Sequence, residues 1–163
     1  MQEPIRVMFF CLGNICRSPL AEALFQFHVN AQGLSQAFHI ESSGTGSYHV
    51  GEPPDAGSVR VARRRLGLDI SDQRAQQLVA EHMVSFDYLV AMDRSNQRNS
   101  LRLGGSDSSK VLLLRDFEPQ ERDRGGDVPD PWGGGGQQFD EVYDIVDRCV
   151  QRLLAHVLNE RGI

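Results

Sequence analysis

The chain contains few residues of the kinds that define disulfide-rich, metal-binding or membrane-spanning proteins. Among its 163 residues are three cysteines, one tryptophan and one lysine. An odd number of irregularly spaced cysteines predicts neither a disulfide scaffold nor a metal site of paired C-x-x-C type. No apolar run approaches the length of a membrane span, and the N-terminus lacks the regions of a signal peptide. We therefore expect a cytoplasmic protein with no membrane partner and no metal.

The sequence also gives no support for the binding of nucleic acids or nucleotide cofactors. The net charge is −5, so no basic face for nucleic acid or anionic lipid is implied. The single lysine, Lys110, does not lie beside a Walker-type loop, and the segment GTGSYHVG lacks a glycine needed for a dinucleotide fingerprint. With 40% hydrophobic and 24% charged residues, the chain is suited to one domain, residues 1–163, with a sizeable core and no cofactor.

Apolar runs alternate with helical patterns along the chain, which is typical of βαβ units and a parallel sheet. The predicted strands are 5–10, 38–42, 88–92 and 111–114. The predicted helices are 18–33, 56–66 capped by Asp55, 76–82, 94–103 capped by Asp93, and 139–160. The sequence thus predicts an α/β fold with a four-stranded parallel sheet and helices on both faces. Ligands of such sheets bind beyond the carboxyl ends of the strands, at a switch point.

The segment between the first strand and the first helix predicts a phosphate-binding loop. Residues 5–19 read IRVMFFCLGNICRSP, so a strand ends at Cys11, five loop residues follow, and Arg17 and Ser18 open a helix. Backbone N–H groups of the loop and of the helix N-terminus favour a bound dianion, and Arg17 can hold two phosphate oxygens at once. The same donors stabilise a thiolate, so we expect Cys11 to be a nucleophile. The intervening loop residues are Leu12, Gly13, Asn14, Ile15 and Cys16.

The segment CLGNICRSP matches the C-x5-R signature loop of the low-molecular-weight protein tyrosine phosphatases throughout, and the chain resembles this family over nearly its whole length. The resemblance implies a hydrolase that removes phosphate from protein phosphotyrosine and small aryl phosphates. In this family the reaction passes through a cysteinyl-phosphate intermediate and releases inorganic phosphate. The expected partner is therefore a phosphotyrosine protein.

A second motif reads VPDPW at residues 128–132. A proline on each side of Asp130 restricts its backbone, so the carboxylate is held in one direction. A rigid surface turn is one interpretation. The other is a general acid that protonates the leaving oxygen and then activates water. The motif resembles the acid loop of the phosphatase family, which favours the second interpretation and implies that Asp130 lies near Cys11.

The resemblance implies further roles around the pocket. Ser18 would stabilise the thiolate, although a helix N-cap is a compatible role. Asn14 would hold the loop in shape with Ser42 as a partner. Tyr48 and Trp132 would flank an aryl phosphate at the pocket mouth. Leu12 and Ile15 would form apolar floor or wall, and related protein-arginine phosphatases are expected to carry threonine at Ile15. Asp93 would support the site in addition to capping its helix.

Three features depart from the family pattern. Relatives usually place a histidine in the segment that here reads SDQRAQQL, where Asp72 and Gln73 stand instead. Gly133 occupies a position where many relatives carry a second aromatic residue, and residues 133–136 form a glycine run that we interpret as a hinge. Apart from these departures, Cys16 is close enough in sequence to Cys11 for a reversible disulfide, or it is a buried small side chain.

Two other functions remain open from the sequence. Thiol arsenate reductases share the loop and fold but need further cysteines, and the only one downstream of the loop, Cys149, falls on the apolar stripe of the last helix. A non-catalytic phosphotyrosine-binding module would need neither Cys11 nor Asp130. The sequence therefore favours the phosphatase.

Overall fold

Four parallel strands form the centre of the computed structural model, which describes residues 2–105 and 107–163. The strands are β1 (Ile5–Cys11), β2 (Phe38–Gly44), β3 (Tyr88–Ala91) and β4 (Val111–Leu113), in the spatial order β2-β1-β3-β4. The α-helices are α1 (Arg17–Ala31), α2 (Ala56–Leu66), α3 (Ala80–Ser85), α4 (Arg94–Leu101) and α5 (Gly136–Arg161). Short 3-10 helices lie at Ser35–Ala37, Ser108–Lys110, Leu114–Phe117 and Glu121–Asp123. The predicted α/β fold is confirmed.

The strand order places a switch point beside β1. The chain moves from β1 to β2 on one side and then crosses to β3 on the other side, with all three neighbouring pairs parallel. A crevice therefore opens beyond the carboxyl end of β1, between connections that diverge to either side. Cys11 is the last residue of β1 and lies in this position.

Alternate residues of β1 enter two separate hydrophobic clusters, because successive side chains of a strand point to opposite faces of the sheet. Val7 and Phe9 belong to a large cluster with apolar residues of α1, α2 and α5. Met8 and Phe10 belong to a smaller cluster that includes Met83 of α3. The prediction of helices on both faces is thus confirmed.

Helix α5 buries the apolar stripe that the sequence predicts, but it begins three residues earlier, at Gly136. The side chain of Gln138 accepts a hydrogen bond of 2.9 Å from the backbone N–H of Gly135 and so satisfies a donor at the helix start. Glycines have low helix propensity, so the sequence pattern did not extend the helix to this point.

The helix predicted at 76–82 is wrong in its first four residues. Gln77 forms an isolated parallel bridge with Gly44, and helix α3 begins only at Ala80. The backbone N–H of Leu78 donates to the carbonyl of Gly44, and that of Gly44 donates to the carbonyl of Gln76. These bonds extend the segment along the end of β2, so tertiary pairing outweighs the local helical pattern.

Both predicted aspartate caps are present. The carboxylate of Asp55 accepts from the backbone N–H of Gly57 at 2.8 Å, and that of Asp93 accepts from Asn96 at 2.7 Å. Helix α4 ends at Leu101, two residues before the predicted end. Across residues 2–105 and 107–163, none of the helices combines the length and the apolar character that crossing a membrane requires.

Candidate functional site

A cavity of about 200 Å³ opens at the carboxyl end of β1 and contains most of the predicted site residues. Its lining consists of Cys11, Leu12, Gly13, Ile15, Cys16, Arg17, Tyr48, His49, Asp130 and Trp132. The fold therefore brings Cys11 and Asp130 to one cavity although they are 119 positions apart in the chain. His49 was not predicted as a lining residue.

Cys11 is almost completely buried, with 3% of its surface exposed. Its Sγ lies 3.1 Å from the hydroxyl oxygen of Ser18 in the first turn of α1. Its carbonyl accepts a hydrogen bond of 2.9 Å from the backbone N–H of Thr45, which follows β2. The sulfur is thus held between the first strand and the first helix, facing the cavity.

Asn14 adopts a left-handed backbone conformation with φ of 56°, and it is the only non-glycine residue with positive φ in the described chain, residues 2–105 and 107–163. Its side-chain nitrogen donates to Ser18 Oγ at 2.8 Å and to Ser42 Oγ at 3.0 Å. Its side-chain oxygen accepts from the backbone N–H of Gln76 at 3.0 Å. One buried amide therefore joins the loop to α1, to β2 and to the segment before α3.

Gly44 was not predicted to matter, yet the loop requires a glycine there. A Cβ atom at this position would lie 2.6 Å from the backbone oxygen of Leu12, which is far inside van der Waals contact. The loop backbone packs directly on the end of β2, and the N–H of Gly46 donates to that same oxygen. No local sequence pattern carries this information, because the approach is between distant segments.

Glu22 completes a chain of hydrogen bonds that leads to Cys11. The hydroxyl of Ser42 donates to Glu22 Oε1 at 2.7 Å, so its oxygen is left to accept from Asn14. Ser18 Oγ likewise accepts from Asn14, and its proton is available to the sulfur of Cys11 or to the carbonyl of Ser43 at 3.2 Å. Burial raises the pKa of Glu22, and the hydrogen bond from Ser42 opposes that shift. Glu22 was missed, although its position four residues after Ser18 on one helix was a usable signal.

Arg17 is 3% exposed and is fixed from one side of its guanidinium. Its Nη1 donates to Asp93 Oδ2 at 2.7 Å and to the carbonyl of Val128 at 2.9 Å. Burial works against the charged form, but the proximity of Cys11 and Asp93 raises the pKa of Arg17 above its usual value. Nε is buried with no partner among the described residues, and Nη2 lies 3.9 Å from Asp130. The Nε and Nη2 edge can therefore hold two oxygens of a tetrahedral anion.

Asp130 lies at the mouth of the cavity, with half of its side chain exposed. Its Oδ1 accepts from the backbone N–H of Trp132 at 3.1 Å, and this bond orients the carboxylate. Trp132 and Tyr48 are both exposed, at 64% and 75%, and line the opening. The opening thus combines two aromatic side chains with the carboxylate of Asp130, whereas the floor of the cavity carries the buried charge of Arg17.

The family model for low molecular weight phosphotyrosine protein phosphatase matches residues 6–162. The chain belongs to this family. It is 39% identical over 153 residues to low molecular weight protein-tyrosine phosphatase A of Mycobacterium tuberculosis, covering 94% of this chain and 91% of the relative. It is 36% identical over 151 residues to the human low molecular weight phosphotyrosine protein phosphatase, covering 91% and 92%.

Solved structures agree with this membership. The crystal structure of YfkJ from Bacillus subtilis superposes with a TM-score of 0.88 at 34% identity, covering 98% of both chains. The chain is therefore a low-molecular-weight protein-tyrosine phosphatase, a hydrolase. Phosphotyrosine hydrolysis through a cysteinyl phosphate is general for the family.

The loop of this phosphatase that carries Asp130 is braced by a buried carboxylate that the sequence did not reveal. Glu118 is fully buried and accepts from Arg115 Nε at 2.7 Å and from Arg148 Nε at 2.6 Å. Burial alone would raise the pKa of Glu118, but the hydrogen bonds from Arg148 and Arg115 lower it overall. Arg115 also donates to the carbonyl of Asp127 at 3.0 Å, three residues before Asp130. The ion cluster therefore connects α5 to Asp127, at the start of the segment that carries Asp130.

Gln73 lies in the segment SDQRAQQL, where the family resemblance implies a histidine. Its side-chain nitrogen donates to the carbonyl of Pro19 at 3.2 Å, while its side-chain oxygen is buried with no partner among the described residues. Gln76, a residue not predicted for the site, supplies the backbone bond to Asn14 and a side-chain bond to the carbonyl of Ser42 at 2.9 Å. A neutral amide pair thus supports the loop here.

The other two thiols of the phosphatase are free and buried. Burial, followed by the nearby Asp55 carboxylate, raises the pKa of Cys16. Burial raises the pKa of Cys149 on α5 to about 12. Within residues 2–105 and 107–163, no cluster of three or more His, Cys, Asp or Glu side chains is placed to hold a metal ion.

Proposed function

We propose that Cys11, Arg17 and Asp130 hydrolyse protein phosphotyrosine and small aryl phosphates, and that residues 1–163 act as one phosphatase domain in the cytoplasm. The observation that carries the proposal is the convergence of these three side chains in one cavity. The edge of Arg17 formed by the unpartnered Nε and by Nη2, which lies 3.9 Å from Asp130, is on the floor of that cavity, where a phosphate would sit. A buried thiol, a cation and a carboxylate are the groups that covalent phosphoryl transfer needs.

In the first step the thiolate of Cys11 attacks phosphorus in line with the ester oxygen. The S–P bond forms as the P–O bond breaks, and Asp130 gives its proton to the departing phenoxide. Arg17 and the N–H groups of the loop hold the three equatorial oxygens, so catalysis is mainly positional and electrostatic. The products of this step are a phenol and phosphocysteine.

In the second step the carboxylate of Asp130 removes a proton from water, which attacks the phosphocysteine. The S–P bond breaks, inorganic phosphate leaves, and Asp130 is protonated again. The sulfur departs as a thiolate, and the proton of Ser18 can point to it instead of to the carbonyl of Ser43. Asn14, Ser42 and Asp93 keep the loop and Arg17 in place through the contacts described above.

The walls support an aryl ester as the substrate. Tyr48 and Trp132 border the opening, and Leu12 and Ile15 add apolar surface to the lining of the cavity. An aromatic ring can stack against such walls, and each aromatic pair contributes about 1 kcal/mol beyond its buried area. A phosphoserine side chain is shorter and would present little surface to them.

Arsenate reduction is less well supported because it needs thiols that can be oxidised in turn. Cys149 has no exposed surface and belongs to the core cluster of α5. A binding module that lacks chemistry would not require a carboxylate at the mouth of the cavity, so the position of Asp130 favours catalysis.

The proposal is tested by turnover of aryl phosphate, phosphotyrosine, phosphoserine and phosphoarginine peptides, with arsenate reduction measured alongside. We expect turnover of the two aryl esters only.

Asp130→Ala should lower kcat by about 10² to 10⁴, and Cys11→Ser should abolish hydrolysis while the phosphopeptide still binds. Glu141→Ala, an exposed acid on α5, is the matched control and should be unchanged. Normal turnover by Cys11→Ser would overturn the covalent mechanism.

A further inference from the structure

Helix α2 carries four arginines, and one of them lacks an acidic partner. Arg63 pairs with Asp69 at 3.4 Å, Arg64 pairs with Asp140, and Arg65 pairs with Asp144 at 2.6 Å. Arg60 is exposed and forms no ion pair within the described part of the chain, residues 2–105 and 107–163. Its charge is therefore available to a partner, in a chain whose net charge is −5.

Arg60 lines two adjoining depressions of the surface. One is bordered by Pro53, Pro54 and Arg63, and the other by Gly136 and Asp140 of α5, the carboxylate of Asp140 being paired with Arg64. We call the two depressions together the α2 groove. Gly136 lies four residues after Trp132 in the chain, so the groove adjoins the segment that leads from the cavity mouth into α5.

The start of α2 is fixed directly to the catalytic loop. The backbone N–H of Asp55 donates to the carbonyl of Ile15 at 2.7 Å, and the hydroxyl of Ser58 donates to the carbonyl of Cys16 at 3.0 Å. Arg60 lies five residues after Asp55, which corresponds to about 7.5 Å along the helix axis. An extended peptide advances about 3.3 Å per residue, so two to four residues span about 7 to 13 Å, a length that matches the distance from the start of α2 to Arg60.

We infer that the α2 groove binds an acidic side chain of the phosphoprotein substrate, two to four residues from the phosphotyrosine, through Arg60. The inference rests on the proposed function, since the phosphotyrosine must occupy the cavity for the neighbouring residues to reach the groove. Charge complementarity selects an aspartate or glutamate as the occupant. Arg63, whose pair with the exposed Asp69 is the longest of the three, is placed to share the interaction.

The test compares phosphotyrosine peptides that carry glutamate or glutamine two to four residues before or after the phosphotyrosine. For the wild type we expect kcat/KM to be about 5-fold higher for a glutamate peptide than for its glutamine counterpart, because exposed ion pairs have effects of this order. Arg60→Glu should reverse this preference, whereas Arg60→Lys, which keeps the positive charge, should retain most of it. The preference should shrink between 0.05 and 0.5 M salt, about a threefold change in screening length.

Arg152→Glu is the matched control. Arg152 is exposed on α5, far along the helix from Gly136, and it forms no ion pair among the described residues. The substitution changes the net charge equally, so it should leave the preference intact. If both variants lost the preference for the glutamate peptide equally, the preference would come from overall charge and the inference would be overturned. An unchanged preference in Arg60→Glu would also overturn it. Hydrolysis of a small aryl phosphate separates the two proposals, because its absence in the wild type would refute the proposed function instead.

Discussion

Asn14 combines two requirements that few residues meet together. Its backbone occupies the left-handed region, which costs most L-residues about 1 kcal/mol and which asparagine tolerates. Its side chain makes three hydrogen bonds, to Ser18, Ser42 and Gln76. A glycine would satisfy only the first requirement, and most other residues would satisfy neither. The signature loop therefore depends on this residue for both its shape and the orientation of Ser18.

Replacing Asn14 separates these two contributions. Asn14→Gly keeps the backbone conformation and removes the hydrogen bonds, whereas Asn14→Ala removes both. We expect kcat for an aryl phosphate to fall in both variants, and we expect Asn14→Ala to unfold about 1 kcal/mol more easily than Asn14→Gly. Urea unfolding and steady-state kinetics measure the two effects. If the alanine variant were the more stable one, strain at this residue would not be a feature of the loop.

At the scale of elements, contacts with α5 fix the start of the segment that carries Asp130. Arg148 of α5 and Arg115 of the 3-10 helix Leu114–Phe117 share the buried carboxylate of Glu118, and Arg115 continues to the carbonyl of Asp127. From Asp127 the backbone passes to Val128, whose N–H bonds to Met92 and whose carbonyl bonds to Arg17. A core ion cluster thereby fixes the segment that delivers Asp130 to the cavity.

Glu118→Gln should destabilise the fold by about 3 kcal/mol, because it leaves two guanidinium groups without their carboxylate. The pKa of Glu118 is lowered in the folded state, so its contribution is present above the ordinary glutamate pKa of about 4.3 and is lost as pH falls toward the folded value. The wild type should thus lose more stability than the variant between about pH 5 and pH 3. Urea unfolding across this range measures both effects.

Glu141→Gln, an exposed residue of α5, is the control for that comparison. It should retain the wild-type stability and the wild-type decline in acid. A Glu118→Gln variant with the same acid decline as the wild type would contradict the assignment of a lowered pKa to this carboxyl.

The sequence predicted the elements whose evidence is local. The apolar stripe of α5, the strand that ends at Cys11 and the caps Asp55 and Asp93 each follow from neighbouring residues. The segment 76–82 was mispredicted because its hydrogen bonds go to Gly44 and Asn14, which are distant in sequence. Gly44 and Arg115 were missed for the same reason, since their importance arises only when separate segments meet, whereas Glu22 was missed although it follows Ser18 by one turn on α1.

At the scale of the whole molecule, an acidic chain builds a positive site by local means. The net charge is −5, yet the cavity floor contains the buried guanidinium of Arg17, which Asp93 and the carbonyl of Val128 hold from one side. Segments that follow β1, β2, β3 and β4 each contribute to this region, in keeping with a site at the carboxyl edge of a parallel sheet.

The central claim is that the sulfur of Cys11 becomes phosphorylated during turnover. The most direct measurement mixes Asp130→Ala with an aryl phosphate whose phenol leaves without protonation, quenches in acid, and locates the phosphoryl group by peptide mass spectrometry. The account predicts a burst of phenol equal to the enzyme present and one phosphoryl group on the peptide that contains Cys11, absent in the Cys11→Ser, Asp130→Ala double variant. A phosphoryl group found on another residue would contradict the account. So would a burst of phenol after which no phosphorylated peptide is detected.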